Sequence, residues 1–93
     1  MLKLLPTKDA AKFIEALPAK QFRQIWLKVL DLLRDPLPPD SAQLVGYTYR
    51  RADIGEYRII YDVIGKAPDQ TLRIILIGKR NGDEVYEKLK RLN

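Results

Sequence analysis

Arginine, lysine, tyrosine and a few carboxylates are the only side chains in this sequence with which an enzyme could work. The 93 residues contain no histidine and no cysteine. The commonest general acid/base, the Ser–His and Cys–His nucleophile pairs and the commonest zinc ligand are therefore absent, and no paired Asp/Glu cluster suggests a metal site. What remains suits electrostatic work on an anion. Arginine stays protonated and presents a fork of donors to phosphate or carboxylate, whereas lysine accepts a proton only when its pKa is depressed. Seventeen Lys and Arg against twelve Asp and Glu leave a net charge of +5, which suits a nucleic acid or an acidic protein partner and also an ordinary soluble basic domain.

The elements that must hold such groups are legible in the periodicity. Residues 2–5 are apolar around Lys3 and stop at Pro6, which reads as a short strand. Thr7 can cap a first helix, with Asp9 near its positive end and Ala10, Phe13, Ile14 and Leu17 toward one face. After Pro18, Phe22, Ile25, Trp26, Val29, Leu30 and Leu33 recur at spacings of three and four, which predicts an amphipathic helix. Pro36, Pro38 and Pro39 prevent it from continuing far past Arg34. The period then changes to two, and strands are predicted over 47–54, 56–64 and 71–77, with Gly55 and the segment 65–70 as turns. Gly78 ends the last strand, and Asn81-Gly82-Asp83 leads to a terminal helix over about 84–92. The expected architecture is α+β, in the order β-α-α-β-β-β-α, with a helical hairpin packed on a small twisted, mainly antiparallel sheet. A length of 93 residues without repeat or linker suits one domain over 1–93. The absence of cysteine, of a signal peptide and of an apolar run near the roughly 20 residues of a membrane span leads us to expect a cytoplasmic chain.

Gly55-Glu56-Tyr57-Arg58-Ile59-Ile60-Tyr61-Asp62-Val63 resembles the central strand of the RelE/ParE toxin superfamily, with its Gly, Tyr-Arg pair, two aliphatics, Tyr and Val. Gln43-Leu44-Val45-Gly46 sits where that family has a Leu-x-Gly turn, and the proline loop after a long amphipathic helix matches as well. Ile77-Gly78-Lys79-Arg80, followed by Glu84-Val85-Tyr86, resembles the end of the RelE-like branch. The resemblance spans essentially the whole chain. It implies the toxin of a type II toxin–antitoxin system: a ribosome-dependent endoribonuclease that cleaves mRNA in the A site by attack of a ribose 2′-OH on the adjacent phosphate, and so inhibits translation. Its partners would be a small acidic RelB-like antitoxin, the 70S ribosome and mRNA, with no membrane, cofactor or metal. The same superfamily also holds ParE-like inhibitors of gyrase, and an inactive protein-binding domain of the same fold is a third possibility, because fold does not fix function.

By that resemblance, Arg58 is the central arginine, Arg80 the arginine after Gly-Lys and Tyr86 the C-terminal tyrosine that stacks on or orients a nucleotide. Arg51 stands where many RelE-like chains carry a lysine, and Tyr49, two residues earlier, replaces another basic residue. The expected catalytic set is Arg51, Arg58, Arg80 and Tyr86, with Tyr49, Arg50 and Lys79 binding substrate. Each has an ordinary alternative. Arg58 can pair with Asp62 or Glu56 on a solvated face, Arg80 can be a surface charge, and Tyr86 can anchor the last helix. Arg50 falls on the face opposite Arg51 because strand side chains alternate. Asp53 shares the face of Arg51, either as a base or as its counter-charge.

Overall fold

Short-range signals divide the chain. In the computed structural model, which describes residues 1–82 and 84–92, the elements run β1 (Lys3–Pro6), α1 (Lys8–Glu15), α2 (Ala19–Arg34), β2 (Ser41–Gln43), β3 (Arg50–Ile54), β4 (Tyr57–Ile64), β5 (Thr71–Lys79) and α3 (Glu84–Leu92). Asp83, expected in the turn before the last helix, lies outside the described residues. Thr7 caps α1 as its sequence position suggests. Its hydroxyl accepts from the Ala10 N–H at 3.2 Å and donates to the Ile75 carbonyl at 2.7 Å, so the cap also ties the helix to β5.

The fold is α+β, with a five-stranded sheet in the order β1-β5-β4-β3-β2. β1 runs parallel to β5, and the other pairs are antiparallel. Two differences from the sequence pattern stand out. β2 has no signature in the sequence pattern, because three residues show no periodicity. It exists because the Leu44 N–H donates to the Tyr49 carbonyl at 2.9 Å, closing a hairpin through Gly46 at φ +83°. For the same reason β3 begins at Arg50, not Tyr47: residues 47–49 are used in that turn. In α2, Leu32 is buried with Ile25, Val29 and Leu33, whereas Leu30 is exposed. Leu30 lies about 140° around the helix from Ile25, off the buried stripe.

Both faces of the central strands are covered, which goes beyond a hairpin on one side. Ile25, Val29, Leu32 and Leu33 from α2 and Ala10 and Ile14 from α1 pack with Tyr57, Ile59, Tyr61, Leu72, Ile74 and Ile77 on one face. On the other face, Val85 and Leu89 of α3 pack with Leu44, Ile60, Ile75 and Leu76. Burial on both sides explains the unbroken apolar run 74–77. A bulge makes it possible: Ile60 faces Leu76 but Tyr61 faces Ile74, so Ile75 is the extra residue. Ile75 and Leu76 both serve the α3 side, while Ile74 and Ile77 serve the other. Tyr61 is fully buried, and its hydroxyl donates to the Pro36 carbonyl at 2.7 Å, which anchors the proline loop to the central strand.

Gly78 fixes how closely α3 lies on the sheet. A Cβ there would sit 2.9 Å from Cγ2 of Val85. Gly78→Ala is expected to destabilise the fold by about 1–3 kcal/mol through overpacking. Combining it with Val85→Ala should give less than the sum of the two single losses. Urea titration of the four proteins checks this, and strict additivity would show that the close approach is not the cause.

Candidate functional site

Gly55, at φ +57°, and Glu56 form a two-residue turn between β3 and β4, with Ile54 facing Tyr57. That turn fixes the register, so Asp53 lies directly opposite Arg58. On the face that carries α3, Nε and Nη2 of Arg58 donate to the two carboxylate oxygens of Asp53 at 2.8 and 3.1 Å. Its third nitrogen, Nη1, donates to the Tyr86 hydroxyl at 2.9 Å, with the guanidinium carbon 6.0 Å from the tyrosine ring centroid. Arg51 and Arg80 turn toward the same carboxylate, with Nη1 atoms 3.4 and 4.0 Å from Asp53 Oδ2. Arg80 is steered there by its backbone N–H, which donates to the Glu56 carbonyl at 2.9 Å.

The structure therefore brings Arg51, Arg58, Arg80 and Tyr86 together around one residue outside the expected set, Asp53. Its counter-charge alternative is the one the geometry realises. Hydrogen bonds from Arg58 hold the Asp53 carboxyl below its usual value against the opposing effect of burial, and the charges of Arg58, Arg51 and Arg80 act in the same direction. A carboxylate so held is a weak proton acceptor. Asp53 raises the pKa of Arg58 in turn. The alternative pairing of Arg58 with Asp62 or Glu56 does not occur; Asp62 instead accepts from Nε of Arg73 at 2.8 Å. The register could have been read from the sequence, since a two-residue turn at 55–56 places 53 opposite 58.

The other expected substrate-binding residues are placed differently. Tyr49 stacks on Tyr47, with centroids 6.1 Å apart and planes 14° from parallel, and both pack against the α3-side core, as Tyr86 does. Arg50 points to the opposite face and donates to Ser41 Oγ at 2.7 Å, so it does not join the cluster. Lys79 faces Tyr57 in the register, and the Tyr57 ring packs edge-on against Phe13, so Lys79 also falls on the helix-hairpin side. The arginine cluster lines neither the cleft between α1 and α3 nor the one beside Arg50; Arg58 and Asp53 at its centre are mostly covered, and Arg80 at its edge is the most exposed. Such a surface suits a ligand that brings its own shape. Among the described residues no group of three or more His, Cys, Asp or Glu side chains could hold a metal ion, and no helix is long and apolar enough to cross a membrane.

Comparison with known proteins places the chain in a family and agrees with its fold. The family model described as the ParE toxin of type II toxin–antitoxin system, parDE, matches residues 4–84. No curated protein matches the sequence. Among solved structures, the isolated Escherichia coli RelE toxin is 25% identical, with all of both chains covered and a TM-score of 0.73. RelE in the archaeal RelE–RelB complex from Pyrococcus horikoshii is 26% identical over 86% of this chain and 96% of that one, with a TM-score of 0.72. A YoeB/ParE toxin from Agrobacterium tumefaciens shares the fold at 23% identity, covering 85% of this chain and 99% of that one, with a TM-score of 0.76. The chain belongs to the ParE toxin family, within the RelE-like branch of the RelE/ParE superfamily, and is the toxin of a type II toxin–antitoxin system.

The lowered Asp53 pKa has a sign that can be measured. The ion pair stabilises the fold above the unfolded-state carboxyl value of about 3.9 and ceases to do so as pH falls through the lower folded-state value. The stability advantage of the wild type over Asp53→Asn is expected to be constant near neutrality and to shrink at acid pH. Urea titrations of both proteins across that range check it; an advantage that persists to about pH 2 contradicts the pairing.

Proposed function

We propose that this toxin is a ribosome-dependent, metal-free endoribonuclease that cuts mRNA in the A site. The observation that supports this reading is the convergence of three guanidinium groups and a tyrosine hydroxyl on the α3 face of the sheet. In the proposed reaction the ribose 2′-oxygen attacks the adjacent phosphorus, the bond to the 5′-oxygen breaks, and negative charge gathers on the phosphate oxygens. Preorganised guanidinium donors stabilise that charge. Arg58 and Arg51 face it from adjacent strands and Arg80 from the end of β5, while Tyr86 stacks on or orients a nucleotide, a contact worth about 1–3 kcal/mol. Tyr49, on the same side as the cluster, extends the aromatic surface.

Proton transfer is the weak part of this set. Arginine does not accept the 2′ proton, and Asp53 is held as a poor base. Cleavage is therefore mainly electrostatic, with proton transfer left to the geometry that the ribosome imposes on the message. A cognate acidic antitoxin of the RelB kind would offset the net charge of +5 and mask the basic face; the solved archaeal RelE structure is itself a complex with RelB. The gyrase-inhibiting reading has its own support: the matching family model is described as ParE, and Tyr49 and Arg51 stand where lysines are common in RelE-like chains.

Mapping message 5′ ends in a translating extract, alongside a gyrase supercoiling assay, separates the readings. Cuts within codons that require ribosomes are expected. Intact message with blocked supercoiling supports the ParE-like activity, and neither effect marks an inert binding domain. Arg58→Ala should slow cleavage by about 10²–10³-fold, the scale of losing one transition-state donor. Arg51→Lys is expected to cut faster if proton transfer limits the rate; no gain at any pH would show that it does not.

A further inference from the structure

We propose that Asp53 is a built-in counter-anion: its carboxylate occupies the seat that an RNA phosphate takes on Arg58, weakening RNA binding away from the ribosome while holding the guanidinium groups in place for the reaction. The second half of this inference rests on the RNA-cleavage reading above; the first does not.

The geometry carries it. A carboxylate and a phosphate engage guanidinium in the same way, through two parallel N–H···O bonds to one edge of the fork. In this chain the Nε–Nη2 edge of Arg58 is filled by the two Asp53 oxygens at 2.8 and 3.1 Å. The remaining nitrogen is engaged by Tyr86 at 2.9 Å. Arg51 and Arg80 point at the same carboxylate, so the spot where three positive groups converge, and where an anion gains most, is already taken. The anion cannot diffuse away, because β3 holds Asp53 directly opposite Arg58. An incoming phosphate must displace it or settle for the outer donors of Arg51 and Arg80.

Two opposite consequences follow. Asp53 reduces the charge of the three-arginine cluster by one, which lowers its attraction for any phosphodiester, specific or not. Asp53 also offsets the mutual repulsion of the guanidinium groups, so they stay clustered when no RNA is present. It touches the arginines and not the reacting atoms, which makes it a positioning residue.

The test pairs two measurements on Asp53→Asn. Affinity for a short single-stranded RNA oligonucleotide without ribosomes should rise about tenfold, and the slope of log K against log salt should steepen by about 0.7, the value for one more phosphate neutralised on a single strand. Single-turnover cleavage on ribosomes at saturating toxin should fall about tenfold, so the KM and kcat effects oppose each other. Asp53→Glu, which keeps the charge, should return the salt slope to that of the wild type. Unchanged RNA affinity and slope in a folded Asp53→Asn protein overturn the proposal, as does a loss of binding that tracks lost stability. If that variant does not fold, the wild type still decides the matter: the Arg58 Nε–H resonance must shift when the RNA oligonucleotide is added, and an unmoved resonance at saturating RNA overturns the displacement. If the wild type cuts no message on ribosomes, the cleavage reading falls, while the affinity and slope still decide whether Asp53 occupies the phosphate seat.

Discussion

Guanidinium groups repel one another wherever a fold gathers them. Two unit charges about 6 Å apart repel by roughly 3 kcal/mol at an effective dielectric near 20. A third charge multiplies that cost, and hydration of a partly covered cluster relieves only part of it. Asp53 answers the constraint here: Arg58 grips it with two nitrogens while Arg51 and Arg80 face it from either side. The neighbouring elements can be read as devices that keep this anion and its cations in register. Gly55 closes the turn that places Asp53 across from Arg58. The Glu56 carbonyl holds the Arg80 backbone beside that turn. Gly78 lets α3 settle against β5, which delivers Tyr86 to the third nitrogen of Arg58.

The same sheet separates folding work from surface chemistry. One face is filled by α1 and α2, and its large side chains, Tyr61 and Ile59 among them, are fully buried. The other face carries a smaller apolar patch under α3 and, beside it, the charged cluster. Strand alternation alone would give the two faces equal shares of β5. The bulge at Ile75 shifts one extra apolar side chain to the α3 side, enlarging the footing of a nine-residue helix. Packing energy is thereby spent next to the cluster without placing an apolar group inside it.

What the sequence made legible follows the range of the interaction. Local signals were reliable: Thr7 before α1, the three-and-four spacing of α2, the proline stop, Gly55 at the turn and the extent of α3 all stand where the residue pattern puts them. Features decided by pairing across the sheet were not. β2 has no period of its own and is recruited by β3. Leu30 looks like a core residue until the direction of the α2 stripe is known. Glu56 and Asp62 are the carboxylates nearest Arg58 along its own strand, but the nearest groups in a hairpin are cross-strand ones. Lys79 follows Gly78 in sequence, and alternation turns it away from the face that Arg58 occupies. Family resemblance names Arg58, Arg80 and Tyr86, with Arg51 standing where the family often has lysine. Only the register shows that Asp53 is what joins them.

The net charge of +5 bears on the site less than its size suggests. Lys8, Lys12, Lys20, Arg23 and Lys28 lie on α1 and α2, across the sheet from Arg58. A helix layer and a sheet together place them at least about 10 Å away. The Debye length at physiological ionic strength is about 8 Å, so their field at the cluster is largely screened. They help attract a polyanion in dilute salt but contribute little once a phosphate is in contact. The charge that acts at contact is local: three arginines and Asp53, with the Glu84 carboxylate close to Gly78, which faces Arg58. A single carboxylate therefore alters the binding potential of this face more than several helix lysines do, which makes Asp53 a more sensitive control point than the overall basicity of the chain.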